Sequence, residues 1–219
     1  MADPVEDSLF REIEEDLREE HWAKLWKRYG HYAAGAVLAL VLSVAGYQGW
    51  RAYDTATRQS DGERFAAALT LAGDKQTQAA AEAFAGLAAD ATAGYALLAR
   101  FQEAALLAKR GQPAPAAAAY ADLAQDPGVD AVYRDLAVIL GAFHELNGPG
   151  AGDLSARLAP LTADGNPWRH SAKELTAVLA VRAGDRTKAR ALFTALATDV
   201  TAPQGIRERA GEMLAILGQ

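Results

Sequence analysis

Phe84-Ala-Gly-Leu87-Ala-Ala-Asp90, Tyr120-Ala-Asp-Leu123-Ala-Gln-Asp126, Leu158-Ala-Pro-Leu161-Thr-Ala-Asp164 and Phe193-Thr-Ala-Leu196-Ala-Thr-Asp199 are four statements of one pattern. Each sets a large apolar residue, a leucine three later and an aspartate six later, at intervals of 36, 38 and 35 residues. A three-residue step keeps two side chains on one helix face. Upstream of each stretch lies a turn: Gly73-Asp74, Gly111-Gln-Pro113, Gly148-Pro-Gly150 and Gly184-Asp185. After three of them comes Pro127, Pro167 or Pro203. Each unit therefore predicts helix A, a glycine turn suited to a left-handed cap, helix B and a short break. A lone helix pair cannot bury its apolar face, so neighbours stack into a solenoid. The A helices are expected near 55–72, 93–110, 130–147 and 168–183, and the B helices near 76–89, 114–125, 151–163 and 185–199. A last helix from Pro203 to Leu217 reads as a solubilising cap. The fold class is all-α. Few β-branched residues occur outside one stretch, and aromatics are sparse in an alanine-rich chain, which argues for closely packed helices.

The units resemble the tetratricopeptide repeat. Ala116…Tyr120…Pro127 and Ala189…Phe193…Pro203 match its second half, while its Trp and Leu-Gly half is degenerate throughout. Solenoids of this kind line a concave wall with their A helices. Aligning the repeats on Tyr120 and Leu158 puts Leu98 and Phe101 on that wall in one unit, and Leu136, Ile139 and Phe143 in the next. These five residues are the expected groove for extended apolar segments of a partner. The opposing reading is that they pack between helices.

Working outward, the run Tyr29–Trp50 holds no Asp, Glu, Lys or Arg over 22 residues. At about 1.5 Å per residue it spans about 33 Å, enough for a hydrocarbon core of about 30 Å. Trp22, Trp26, Tyr29 and Tyr32 precede it, and Tyr47, Trp50 and Tyr53 follow it. Such rings favour the two headgroup zones. The domains expected are a cytoplasmic segment 1–28, a transmembrane helix 29–50 and a repeat domain 51–219. A buried core helix and an interfacial helix are the competing readings. The aromatic girdles oppose the first and the missing charged face opposes the second. Ser43-Val44-Ala45 resembles a leader-cleavage site, but the preceding segment is long and acidic and the aromatic anchors continue past it. Lys24, Lys27 and Arg28 stand directly before the span, which predicts a cytoplasmic N-terminus. Gly35, Ala39 and Ser43 recur every four residues as a stripe that would let another helix approach closely. Residues 7–28 read as an amphipathic helix capped by Asp7 and Ser8, with Leu9, Phe10, Ile13, Leu17 and Leu25 on its apolar seam.

Charge is uneven along the chain. Residues 1–21 carry nine acids and two bases, a net of −7; from Arg51 on there are 17 bases and 19 acids, a net of −2. A nearly neutral domain without a basic stripe is a poor nucleic-acid binder. The chain has no cysteine, which excludes disulfides, thiolate catalysis and cysteine metal sites. His21, His31, His144 and His170 lack metal-ligand spacing, and Ser8, Ser60, Ser155 and Ser171 lack a nucleophile elbow. No phosphate loop and no carboxylate pair occurs, so no enzyme, cofactor or small-molecule substrate is expected.

A narrower resemblance covers nearly the whole chain. It rests on the acidic tail, basic step and single span, followed by Gly49-Trp50-Arg51-Ala52-Tyr53, Gly94-Tyr95-Ala96-Leu97-Leu98-Ala99 and Gly184-Asp185-Arg186-Thr187-Lys188-Ala189-Arg190. In that order these features resemble the YfgM-type family of ancillary translocon subunits. The resemblance implies a bacterial inner-membrane protein with a periplasmic repeat domain. Its implied partners are the SecYEG translocon, periplasmic chaperones and exported polypeptides. A solenoid arm of another cell-envelope machine, such as cytochrome c maturation, is the alternative.

Overall fold

The computed structural model describes the backbone of residues 4–148 and 151–218, and side chains from Lys24 on except at residues 149–151 and 219. The described residues form nine α-helices and no strand. The chain divides into two compact units, Met1–Arg58 and Gln59–Gln219. Helix α1 (Pro4–Gly73) contributes to both.

In the first unit α1 begins at Pro4, so Asp7 and Ser8 lie inside the helix rather than capping it. Proline suits this first turn because its missing N–H would have no helical partner there. The seam residues Leu9, Phe10, Ile13 and Leu17, together with His21 and Trp22, fall outside the described side chains. Trp26, Tyr29, Tyr32, Tyr47, Trp50 and Tyr53 are all more than half exposed, as are Val37, Leu38, Leu40, Val41 and Leu42 between them. None of the apolar window is covered by the chain itself, and the helix is long and apolar enough to cross a membrane. Its hydroxyls turn inward to the backbone: Ser43 Oγ donates to the Ala39 carbonyl at 2.7 Å, and Thr55 and Thr57 bond the carbonyls four residues before them. That bond leaves no hydroxyl demanding a partner in a non-aqueous setting.

The second unit consists of helix pairs. The end of α1 pairs with α2 (Thr77–Asp90). Then come α3 (Ala93–Lys109) with α4 (Pro113–Gln125), α5 (Ala131–Glu145) with α6 (Ala151–Leu158), and α7 (Arg169–Arg182) with α8 (Arg186–Thr198). Helix α9 (Gln204–Leu217) packs on α8. The pattern residues Phe84, Tyr120, Leu158 and Phe193, and the leucines three positions on, are all 5% exposed or less. Four positions earlier stand Ala80, Ala116, Leu154 and Ala189, each fully buried. Three repeats thus set alanine before an aromatic ring, while the third sets leucine before leucine. Both choices fill a similar volume, which is what a close-packed interior demands. Ala68, Ala99, Ala137, Ala142, Ala172, Ala177 and Ala210 are also fully buried. Side chains this small let helix axes approach to the short end of the 8–10 Å range, which accounts for the alanine-rich composition.

Three details depart from the expected layout. Only Gly111 and Gly184 adopt the left-handed conformation, with φ of 72° and 75°. At the first turn Lys75 takes it instead of Gly73, with φ 61°, and Gly148 does not adopt it. Pro149 and Gly150 lie outside the described residues. The third B helix stops at Leu158 and continues as a 3₁₀ turn over Ala159–Thr162. Pro160 has no N–H for the i−4 carbonyl, so the α ladder cannot run through it.

The recurring aspartate fastens each break to helix A. Arg64 donates to Asp90 at 2.8 Å and Arg100 to Asp126 at 2.7 Å. His170 Nε2 lies 3.0 Å from Asp199 Oδ2. In the third repeat Asp164 is exposed, and Lys173 approaches it at 3.5 Å. A second tie recurs one helix turn earlier: Asp61 accepts from the Thr92 N–H at 2.7 Å, and Asp135 from Asn166 at 2.7 Å. The Thr201 hydroxyl, then its N–H, hold the Asp199 carboxyl down at about 2. The Arg100 guanidinium lowers Asp126, and the Thr92 N–H lowers Asp61. A carboxylate depressed in the folded state adds stability above its unfolded value of 3.8 and loses it as pH falls through the folded value. The melting temperature should therefore fall as pH drops from about 4 towards 2. Asp199→Asn should flatten that part of the profile; an unchanged profile would show that the tie contributes nothing.

Candidate interaction surfaces

Two of the five expected groove residues meet at one site. Ile139 and Phe143, one helical turn apart on α5, line an apolar cavity of about 360 Å³ with Leu175 and Val178 of α7. Phe143 is 62% exposed, whereas Ile139 is buried beneath it at 8%. Ser171 adds to the wall a hydroxyl that has no partner among the described residues. The end towards α9 is closed by an ion pair: Arg209 Nε and Nη2 reach the two oxygens of Glu174 at 2.7 and 2.8 Å. The site offers a dry floor, one exposed ring and polar groups at the rim, the usual make-up of a surface that takes an apolar side chain.

The other three stand apart. Phe101 is half-buried, its ring 6.0 Å from that of Tyr120. Leu136 is half-buried on α5, and Leu98 is 44% exposed on α3. The sequence reading stopped at α5 and so missed the α7 wall. Ser171, Glu174, Leu175 and Val178 fall at three- and four-residue steps, a signal that could have extended the groove by one helix.

The stripe Gly35, Ala39 and Ser43 is exposed, and a Cβ added at Gly35 would meet nothing within 4 Å. Two of the histidines serve in packing. His144 stacks on Tyr120 at 5.8 Å with planes 3° apart, and His170 is buried in the tie to Asp199. Among the described residues no group of three His, Cys, Asp or Glu could hold a metal ion.

The stacked pairs and their buried Ala–aromatic–Leu signature agree with a family comparison in which residues 23–209 match the tetratricopeptide repeat-like domain. The chain belongs to the tetratricopeptide repeat-like domain family. The match takes in the apolar part of α1 as well as the pairs. No curated protein and no solved structure matches the chain. Tetratricopeptide repeat-like domains are typically protein-interaction scaffolds.

Proposed function

We propose that this protein is a membrane-anchored interaction scaffold of the bacterial inner membrane, with its N-terminus in the cytoplasm and its repeats in the periplasm. In this reading it serves as an ancillary subunit at the SecYEG translocon and passes exported polypeptides to periplasmic chaperones. The observation that carries the reading is the apolar cavity under Phe143, on a repeat unit whose chain continues from a helix fit to cross a bilayer. Lys24, Lys27 and Arg28 before the span support the orientation. An exposed ring over a dry pocket suits polypeptides that have not yet buried their own apolar side chains.

A photo-crosslinking amino acid at Phe143 in the full chain tests it. Crosslinks to translocating polypeptide and to channel subunits are expected; haem-handling proteins in their place would favour cytochrome maturation and overturn the translocon reading. Because most of the ring is already in water, Phe143→Ala should cost about 1 kcal/mol or less, against about 1.5–3 kcal/mol for full burial. Client capture should fall while the melting temperature barely moves. Early unfolding would make Phe143 a core residue and remove the groove.

A further inference from the structure

The unpartnered cations of the repeat unit gather at one of its two edges. In stacked pairs all A-to-B turns share one edge and all B-to-A breaks share the other. Asp90, Asp126, Asp130, Asp164 and Asp199 occupy the break edge. Most cations of the unit are engaged by carboxylates, amides, hydroxyls or carbonyls. Among the described residues of the unit the cations left without a hydrogen-bond or ion-pair partner are Lys75, Lys109, Arg182, Lys188 and Arg190, and all lie at or beside A-to-B turns, exposed. Asp74, and Asp185, which accepts the Lys188 N–H at 2.9 Å, share those turns, and the third turn is flanked by Asp153 and by Glu145, which is paired with Arg157.

Helix physics explains only part of this placement. Lys109 and Arg182 end α3 and α7, where the dipole favours a cation. Lys188, by contrast, lies in the opening turn of α8 beside Arg186, with no acid in that turn, and Arg190 follows in the next turn. A helix N-terminus repels positive charge. Lys75 sits in the left-handed conformation at φ 61°, where a side chain costs free energy. Cations kept at unfavourable positions without internal partners point to an external one. The family's function in protein contact favours a polypeptide.

We propose that the A-to-B turn edge, centred on Arg182, Lys188 and Arg190 of the fourth repeat, docks an acidic segment of a partner polypeptide. Complementary charge of this kind speeds encounter and fixes orientation, and salt weakens it. The surface is distinct from the Phe143 cavity, whose crosslink tests the scaffold reading separately.

The test uses the full chain in uncharged phosphatidylcholine nanodiscs and a fluorescent twelve-residue oligo-glutamate as probe. Binding by anisotropy should weaken several-fold between low and physiological salt. Arg182→Glu with Lys188→Glu and Arg190→Glu should weaken it at least tenfold, and the corresponding triple glutamine variant should fall between. The three positions are exposed, so all forms should melt alike; the glutamine form serves if charge reversal disturbs folding. Equal binding by wild type and both variants would overturn the proposal. So would tighter binding of a DNA dodecamer than of the peptide, or of phosphatidylglycerol vesicles in competition with it.

Discussion

Phe193→Ala should lower the melting temperature of the repeat unit by roughly 6–20 °C in the full chain. The ring is 1% exposed and is enclosed by Ala189, Leu196, Ile206 and Ala210. Removing a buried phenylalanine typically costs about 3–5 kcal/mol, through lost transfer free energy and the cavity left behind. A unit of this size shifts by about 2–4 °C per kcal/mol. Alanine is also the residue already standing at 189, so the variant would face alanine with alanine and nothing nearby could fill the gap. Circular dichroism in detergent would follow it, with Phe143→Ala as the exposed control. A shift no larger than that control would mean that the pattern aromatic is not what holds the fourth pair to α9.

Arginine at both Leu38 and Leu42 should release the chain from the membrane. Both leucines are about 60% exposed in the apolar part of α1. On insertion scales the exchange of leucine for arginine near a span's centre costs roughly 3–4 kcal/mol, so two cost roughly 6–8 kcal/mol. That is a partition shift of the order of a hundred-thousandfold. The double variant should leave the carbonate-resistant fraction, and a reporter at Gln219 that works only outside the cytoplasm should lose its signal. Retention of the double variant would mean that protein, not lipid, covers this helix. A mature chain starting at Gly46 would mean that the span is a removed leader.

The helix pairs could be read in advance because burial imposes one phase on every repeat. Phe84, Tyr120 and Phe193 recur with a leucine one turn on because both positions face the neighbouring helix in each pair. The recurring aspartate was equally visible, but its partners were not. Arg64 and Arg100 lie 26 residues upstream in sequence, and only folding brings them to Asp90 and Asp126. Lys75 stands at the second residue after its helix, the place Gly111 and Gly184 hold in turns of the same length, while Gly73 is still helical. The groove was half legible. An A helix touches neighbours on two sides, so a shift of one position moves a residue from wall to core, as Ile139 and Phe143 show. The basic edge was invisible to charge counting, because paired and unpaired cations look alike until the pairs are drawn.

Each of the four apolar clusters draws on a short stretch of chain. Their buried members lie within 68–106, 104–137, 139–179 and 177–217. Contacts so local carry little loop-closure cost, and proteins dominated by them fold fast. A chain delivered residue by residue, N-terminal end first, can close its first cluster while the second is still unborn. Each finished pair then offers the next an apolar ledge to condense on. The ledge on α8 is taken by α9 once that helix emerges. Until Ile206, Ala210 and Leu217 arrive, one greasy flank stays open, so a ribosome stalled short of α9 should hold a sticky product whose earlier pairs are already closed.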